Sequence, residues 1–269
     1  MPELPEIETF SRNLRPDLVG RRVVGVHLLW SRSLETPAPE VFQVQLTGQT
    51  IRETGRRGKF FILTLGEGYL LMHLRMSGDL RMEQDVGDYE PHDRLILSLD
   101  NGTRLAFNDT RKFGRVWLVE DPAAVLGNLG PEPLDEAFTA AVLYQKLQSC
   151  RRQLKPLLLD QSFIAGLGNI YTDESLHRAR LHPLACSRSV SAEQAAALWQ
   201  AIRDTLQEGI RRQGTSIDWV YRGGDFQKYL RVYQRTGQPC LQCGTPIEHI
   251  LVGQRSTHYC PTCQPYIIS

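Results

Sequence analysis

The chain has 269 residues, 41% of them hydrophobic and 23% charged, a globular composition with enough apolar material for two domains, which excludes a mostly disordered protein. Thirty-one Lys and Arg against thirty Asp and Glu leave a net charge of +1, so a polyanionic partner would have to be held by a locally basic surface. No apolar run has the length of a membrane span and the first residues lack the basic-then-apolar pattern of a signal peptide, so a cytoplasmic protein without membrane association is expected.

The chain opens Met1-Pro2-Glu3-Leu4-Pro5-Glu6. Removal of Met1, which a small second residue favours, would leave Pro2 as a free secondary amine. An α-amino group titrates near neutrality, so about a tenth to a sixth of it is neutral and nucleophilic at pH 7. Pro5 suits a first helical turn, and Leu4, Ile7, Phe10 and Leu14 recur at helical spacing, so a helix starts at the amine itself. Its positive end disfavours an ammonium and favours the carboxylates of Glu3 and Glu6. An amine attacking a sugar or carbonyl carbon forms an imine and needs an acid for the leaving group, a part Glu3 is placed to take. Read alone, the stretch is equally a good helix start with acids in its first turn.

From Val23 to about Val119 the chain reads as strands and turns. Val23–Trp30 is rich in β-formers, Val41–Leu46 alternates, and Leu95, Leu97 and Leu99 lead through Asp100-Asn101-Gly102 into Leu105 and Phe107, a hairpin pattern. A β-sandwich behind one helix is expected. Lys59, His73, Met76, Arg111 and Phe113 fall at its strand ends or turns, where apolar wedges beside cations match what enters a nucleic-acid duplex. Taken singly, Met76 and Phe113 also fit a core, His73 a satisfied core histidine and Lys59 a solvated lysine.

Breakers between Asp121 and Pro133 mark a linker. Beyond it Phe138–Leu159, Ile170–Ala179 and Ala192–Ile210 carry helical periodicity. Gly166-Leu167-Gly168-Asn169 opens the second of these, a turn whose N–H groups and Asn169 amide suit a phosphate, or whose glycines serve close helix packing. From Arg211 onward seven arginines and lysines face three acids. Within that tail Cys240-x-x-Cys243 and Cys260-x-x-Cys263 form two thiolate pairs sixteen residues apart, the spacing of one tetrahedral structural Zn2+ with no open position. Gly253-Gln254-Arg255 lies between the pairs and would present Arg255 at a hairpin tip. Cys150 and Cys186 are isolated and take no role.

Several of these stretches, in this order over nearly the whole chain, resemble the formamidopyrimidine-DNA glycosylases, which share a fold with endonuclease VIII. They are M-P-E-L-P-E, G-R-R-G-K-F around Lys59, M-H-L-R-M-S-G around His73 and Met76, and D-T-R-K-F-G around Arg111 and Phe113. K-P-L-L-L-D-Q beginning at Lys155, G-L-G-N-I-Y-T-D-E around Asn169, and the cysteine module ending Q-R-S-T-H-Y-C-P-T-C-Q complete the set.

The resemblance implies an α+β, multidomain chain: an N-terminal helix plus β-sandwich over 1–120, a linker over 121–133, a helical helix-two-turn-helix domain with a base-recognition loop over 134–225, and a zinc β-hairpin over 226–269. It implies Pro2, Glu3, Glu6 and Lys59 as catalytic residues, with Pro2 attacking C1′ of a damaged nucleotide and Glu3 moving a proton at the sugar. It also implies His73, Met76, Arg111, Phe113, Lys155, Asn169 and Arg255 as DNA-binding, Arg111 facing the orphaned cytosine. The expected activity is removal of oxidised purines from duplex DNA by a monomer, through a proline imine and β,δ-elimination.

Leu4 with Met76, Arg111 and Phe113 favours the formamidopyrimidine branch over endonuclease VIII. Two features depart from the family pattern. The segment between Thr215-Ser216 and Phe226-Gln227 is shorter than the loop of relatives specialised for 8-oxoguanine, and Gln234 stands where glycine is usual, which suggests a changed turn before the zinc module. A glycosylase preferring oxidised pyrimidines or hydantoins is the enzymatic alternative, and a non-catalytic zinc-containing DNA-binding protein is the alternative of another class.

Overall fold

The computed structural model describes residues 1–216 and 223–266 and divides into two compact units, Met1–Asn128 with Gln213–Gly224, and Leu129–Arg212 with Asp225–Ser269. The boundary falls inside the expected linker, where α3 (Ala123–Leu126) makes a single helical turn. Gln213–Gly224, expected in the helical domain, groups with the first unit instead. A long-range contact ties it there: one carboxylate oxygen of Glu6 accepts from the Thr215 N–H at 2.8 Å and from its hydroxyl at 3.2 Å.

The first unit is a sandwich entered by α1 (Leu4–Leu18). Its four-stranded sheet runs in the order β1 (Val23–Leu28), β7 (Asp93–Leu99), β8 (Thr103–Asp109), β6 (Gly78–Gln84). The five-stranded sheet runs β2 (Leu34–Thr36), β9 (Arg115–Val119), β5 (Tyr69–His73), β4 (Phe60–Thr64), β3 (Glu53–Arg57). Ile7, Phe10, Leu14 and Leu18 of α1 share one core with Phe61 and Leu63 of β4, Met72 of β5, and Leu95 and Leu97 of β7. The Asp100-Asn101-Gly102 hairpin is formed as read, with Gly102 at φ 78° and Asn101 Oδ1 accepting from the Thr103 N–H.

One expected strand is a helix. Val41–Leu46 belongs to α2 (Pro39–Leu46), which Pro39 opens at its first position. Phe42 and Leu46, four apart, are fully buried, whereas Val41 and Val44 are exposed. The two buried side chains stabilise by about 1.5–3 kcal/mol each, so packing on a helical face outweighs a short alternation of β-formers.

The second unit holds α4 (Ala140–Gln148), α5 (Leu154–Leu159), α6 (Asn169–Arg178) and α7 (Ala192–Arg211), followed by the antiparallel pair β10 (Glu248–Val252) and β11 (Arg255–Tyr259). The long α7, started by a Ser191/Gln194 capping box, packs on α4 and α6, and α6 packs on β11. The helix read from Phe138 to Leu159 is interrupted at residues 149–153, so α4 and α5 are separate. The hairpin turn is Gly253-Gln254, both residues left-handed at φ 55° and 61°. No helix among the described residues is long and apolar enough to cross a membrane.

Candidate functional site

Glu3 caps α1, and it forms a reciprocal capping box with Glu6, whose Oε2 accepts from the Glu3 N–H at 2.8 Å. Pro2 is buried, and Glu3 and Glu6 are each 2% exposed. Glu6 therefore serves two masters, holding the backbone beside the would-be amine with one oxygen and the Gly214-Thr215 turn with the other. Gly214 is left-handed at φ 80°, and a Cβ there would lie 2.7 Å from Glu6 Oε1. The expected base-recognition loop continues into residues 217–222, which lie outside the described residues.

The register of α1 on β3 gives the direction of this end. The Thr54 hydroxyl donates to the Ser11 carbonyl at 2.8 Å, and Arg56 pairs with Glu8 at 2.7 Å. Stepping back along α1 thus means stepping forward along β3, toward the Gly58-Lys59 turn. Lys59 is only 5% exposed. Next to it Phe60 pairs with His73 across β4 and β5, and His73 with Arg115 of β9, so Phe60, His73 and Arg115 form one row across the sheet and Lys59 stands one residue before that row.

His73 is neutral rather than cationic. Burial, then the charges of Arg75 and Lys59, push its pKa down from 6.5 to about 3, its Nδ1 accepts from the Arg75 N–H at 3.1 Å, and its ring stands edge-on to Phe60. It can hold a phosphate only as an N–H donor. A histidine pKa depressed on folding gives stability that is complete above 6.5 and is lost as pH falls toward 3. Between pH 7 and pH 5 this single residue should cost about 2 kcal/mol. His73→Gln should flatten the acid limb of denaturant-derived stability by that amount, and an unchanged slope would place the ionisable group elsewhere.

Met76 and Phe113 are 41% and 47% exposed, which excludes a core role for either. They sit on two loops locked together by a residue to which the sequence reading gave no part. The fully buried Asp109 carboxylate accepts from the Ser77 hydroxyl, from the Arg111 N–H at 3.2 Å and from the Gly114 N–H at 2.7 Å. An Asp two residues before a turn N–H is a recognisable Asx-turn signal that could have found it. Lys112 is left-handed at φ 61°, with its ammonium 4.1 Å from the Trp30 ring centroid, and the exposed Arg111 lies over Phe113 at 5.2 Å. Gly114 is obligatory, since a Cβ would come within 2.3 Å of Phe107. A rigid base thus presents an apolar pair and a cation to solvent.

In the second unit Gln161 braces the glycine turn. Its side chain donates to the Leu167 carbonyl at 2.8 Å and accepts from the Gly166 N–H at 2.9 Å. Asn169, first residue of α6, donates through Nδ2 to the Ser256 carbonyl at 2.9 Å, which sets it beside the exposed Arg255 at the hairpin tip. The expectation that Lys155 meets DNA is corrected. It is fully buried, its ammonium paired with Asp173 and donating to the Ser256 carbonyl at 3.2 Å, so it stands behind Asn169 and Arg255. Asp173 also accepts from the His258 N–H at 2.9 Å, and Glu174 accepts the N–H groups of Arg231, Val232 and Tyr233 at 2.9–3.0 Å. Burial pushes the Glu174 carboxyl up against those three donors. Gln234 takes φ 58°, the left-handed conformation glycine favours, so the turn there is of the glycine kind, made with glutamine.

The four cysteine sulfurs, Cys240, Cys243, Cys260 and Cys263, all lie within 4.8 Å of one another, with Cys240 to Cys263 at 3.9 Å and Cys243 to Cys260 at 3.4 Å. A tetrahedral Zn2+ with bonds of about 2.3 Å needs edges of about 3.8 Å. Burial drives the Cys260 and Cys263 thiols up. Four thiolates this close need a cation to carry their charge, so the donor set fits one structural Zn2+, which cross-links the two knuckles flanking the hairpin. Cys150 and Cys186 lie apart from this cluster.

Comparison with known proteins agrees with both units. Residues 1–116 match the family model of the formamidopyrimidine-DNA glycosylase N-terminal domain, 129–220 that of the formamidopyrimidine-DNA glycosylase H2TH domain, and 237–265 that of the zinc finger found in FPG and IleRS. The formamidopyrimidine-DNA glycosylase of Pelotomaculum thermopropionicum is 45% identical over 275 residues, covering 98% of this chain and 99% of that one. The one of Chloroflexus aurantiacus is 47% identical over 272 residues, 98% of each. Lactococcus lactis FPG, solved with DNA containing Fapy-dG, an abasic site or an oxidised pyrimidine, is 36% identical with TM-scores of 0.92–0.93, over 98% of this chain and 100% of that one. With the zinc finger, the H2TH domain and the N-terminal domain all matched in order, this chain belongs to the formamidopyrimidine-DNA glycosylase family.

Proposed function

We propose that this chain is a bifunctional enzyme, a DNA glycosylase that removes oxidised bases from duplex DNA and an abasic-site lyase that then cuts the strand. The Pro2 amine, freed of Met1, attacks C1′ of the damaged nucleotide. The N–C1′ bond forms as the glycosidic bond breaks, its electron pair leaving with the base, which takes a proton. Glu3 protonates the opening sugar at its ring oxygen. The resulting iminium makes the C2′ proton acidic; loss of that proton expels the 3′-phosphate, and a second elimination expels the 5′-phosphate. Lys59, His73, Asn169 and Arg255 hold phosphates around the lesion, while Met76, Arg111 and Phe113 fill the gap left by the everted base. Opening the duplex for this costs a few kcal/mol, least at a damaged pair.

The observation that carries the reading is the pair of carboxylates 2% exposed directly behind Pro2, both held in place by backbone N–H groups. Acids are seldom buried this deeply unless paired or functional. The Lactococcus lactis complexes with Fapy-dG and with an oxidised pyrimidine support oxidised bases as the substrate class, with purines favoured by the intact Met76, Arg111 and Phe113 set. The enzyme so read acts as a monomer on DNA in the cytoplasm.

Borohydride should trap a covalent adduct on duplexes carrying an abasic site or formamidopyrimidine, and Pro2→Gly should remove most of it. Absence of any adduct on the abasic duplex, or an adduct undiminished by Pro2→Gly, overturns the amine mechanism. Mass spectrometry of the active protein should show Met1 gone. Relative rates on formamidopyrimidine, 8-oxoguanine and thymine glycol rank the substrates, and a leading rate on thymine glycol would replace the purine reading with the pyrimidine one.

A further inference from the structure

Beyond Asn169, Asp173 and Glu174, α6 meets the zinc module once more, at its last turn. His177 is 1% exposed, and its Nε2 lies 3.4 Å from Cys240 Sγ. The other ring nitrogen, Nδ1, is buried without a hydrogen-bond partner among the described residues. A neutral imidazole carries its proton on one nitrogen only. On Nδ1 that proton would be a buried unsatisfied donor, at a cost of about 1–3 kcal/mol; on Nε2 it meets sulfur.

Cys240 is, with Cys260, one of the two buried ligands of the set, and it is the one that His177 faces. It is 3% exposed, so water cannot share its charge, whereas Cys243 is exposed. Its other nearby donor is the Gln242 N–H at 3.4 Å. We infer that His177 is an outer partner of the zinc: its Nε2–H donates to the Cys240 thiolate, draws charge off the sulfur, slows loss of the metal, and ties the last turn of α6 to the zinc as Asn169 ties the first turn to the hairpin tip. His177 is thus a positioning residue, acting through Cys240.

Two measurements test this. In the unaltered zinc-loaded protein, long-range nitrogen-proton correlation of the imidazole should show the Nε2–H tautomer with a proton slow to exchange; an Nδ1–H tautomer overturns the inference whatever any variant does. Chelator competition should then show zinc affinity about 10- to 100-fold weaker in His177→Phe, the size expected when an outer-shell partner is lost. In the cobalt-substituted His177→Phe protein the sulfur-to-cobalt charge-transfer band should move to lower energy, as an unshared thiolate is more electron-rich. His177→Gln, which restores an N–H donor, should bring both readouts back toward the parent. A phenylalanine variant with parental affinity and band, or a glutamine variant as impaired as the phenylalanine one, would reduce His177 to packing.

Discussion

Glu3→Gln should slow base excision by about 10²- to 10⁴-fold, the usual contribution of a positioned acid, while leaving the protein folded and bound to DNA. The structure separates these effects. Glu3 is held by the first turn of α1, its carboxylate accepting from the Glu6 backbone while Glu6 accepts from the Glu3 N–H. Glutamine keeps an oxygen for the first bond and leaves the second untouched, so the capping box survives and stability should change by less than about 1 kcal/mol. What glutamine cannot do is deliver a proton to a leaving oxygen. Single-turnover excision of formamidopyrimidine should therefore fall steeply, whereas cleavage of a ready-made abasic site, part of which is already ring-opened to the aldehyde, should fall less. Equal losses on both substrates would mean that Glu3 serves only the steps after the imine, and no loss on either would remove it from the chemistry.

The parts of this site that were legible in the sequence are those built by near neighbours. Pro2, Glu3, Pro5 and Glu6 announce a capped helix within six residues, and the two Cys-x-x-Cys knuckles and the Gly253-Gln254 turn follow from spacing alone. Val41–Leu46 was misread because six residues with alternate valines satisfy a strand pattern, although Pro39 and the spacing of Phe42 and Leu46 favour a helix once a core lies beneath it. Lys155 was misread for a different reason. A lysine beside a phosphate-binding turn is ordinarily a cation for DNA, and only the fold reveals that Asp173, eighteen residues on, and the Ser256 carbonyl, 101 residues on, consume its charge and its donors. The hold of Glu6 on Thr215 spans 209 residues and has no local signature. Nor could the neutrality of His73 be read, since it comes from burial and from cations on other turns. Sequence thus speaks most clearly for groups that face solvent or metal, and least for the charged residues buried behind them.

That distinction makes Lys155→Met the most informative change in the second unit. The Asp173 side chain is fully buried, as is that of Lys155, so removing the ammonium strands a carboxylate with the His258 N–H and, at 3.4 Å, its ring. Breaking a buried pair from one side costs about 3–5 kcal/mol, enough to be seen as a lower denaturant midpoint for the unit. Lys155→Met with Asp173→Asn removes both charges while leaving an oxygen for the His258 N–H, and should recover all but about 1 kcal/mol, the worth of one remaining hydrogen bond. DNA binding then decides what the lysine is for. As a positioning group it acts by balancing Asp173, whose other oxygen holds the His258 N–H of β11, so the double variant, which keeps that bond without a stranded charge, should regain duplex affinity along with stability, and the dependence of affinity on salt should match the parent. As a phosphate contact it would leave the double variant weak although folded, with a salt slope shallower by about one unit. Burial and the Asp173 partner favour the first outcome, because a charge already neutralised inside the protein has no counterion left to release from DNA.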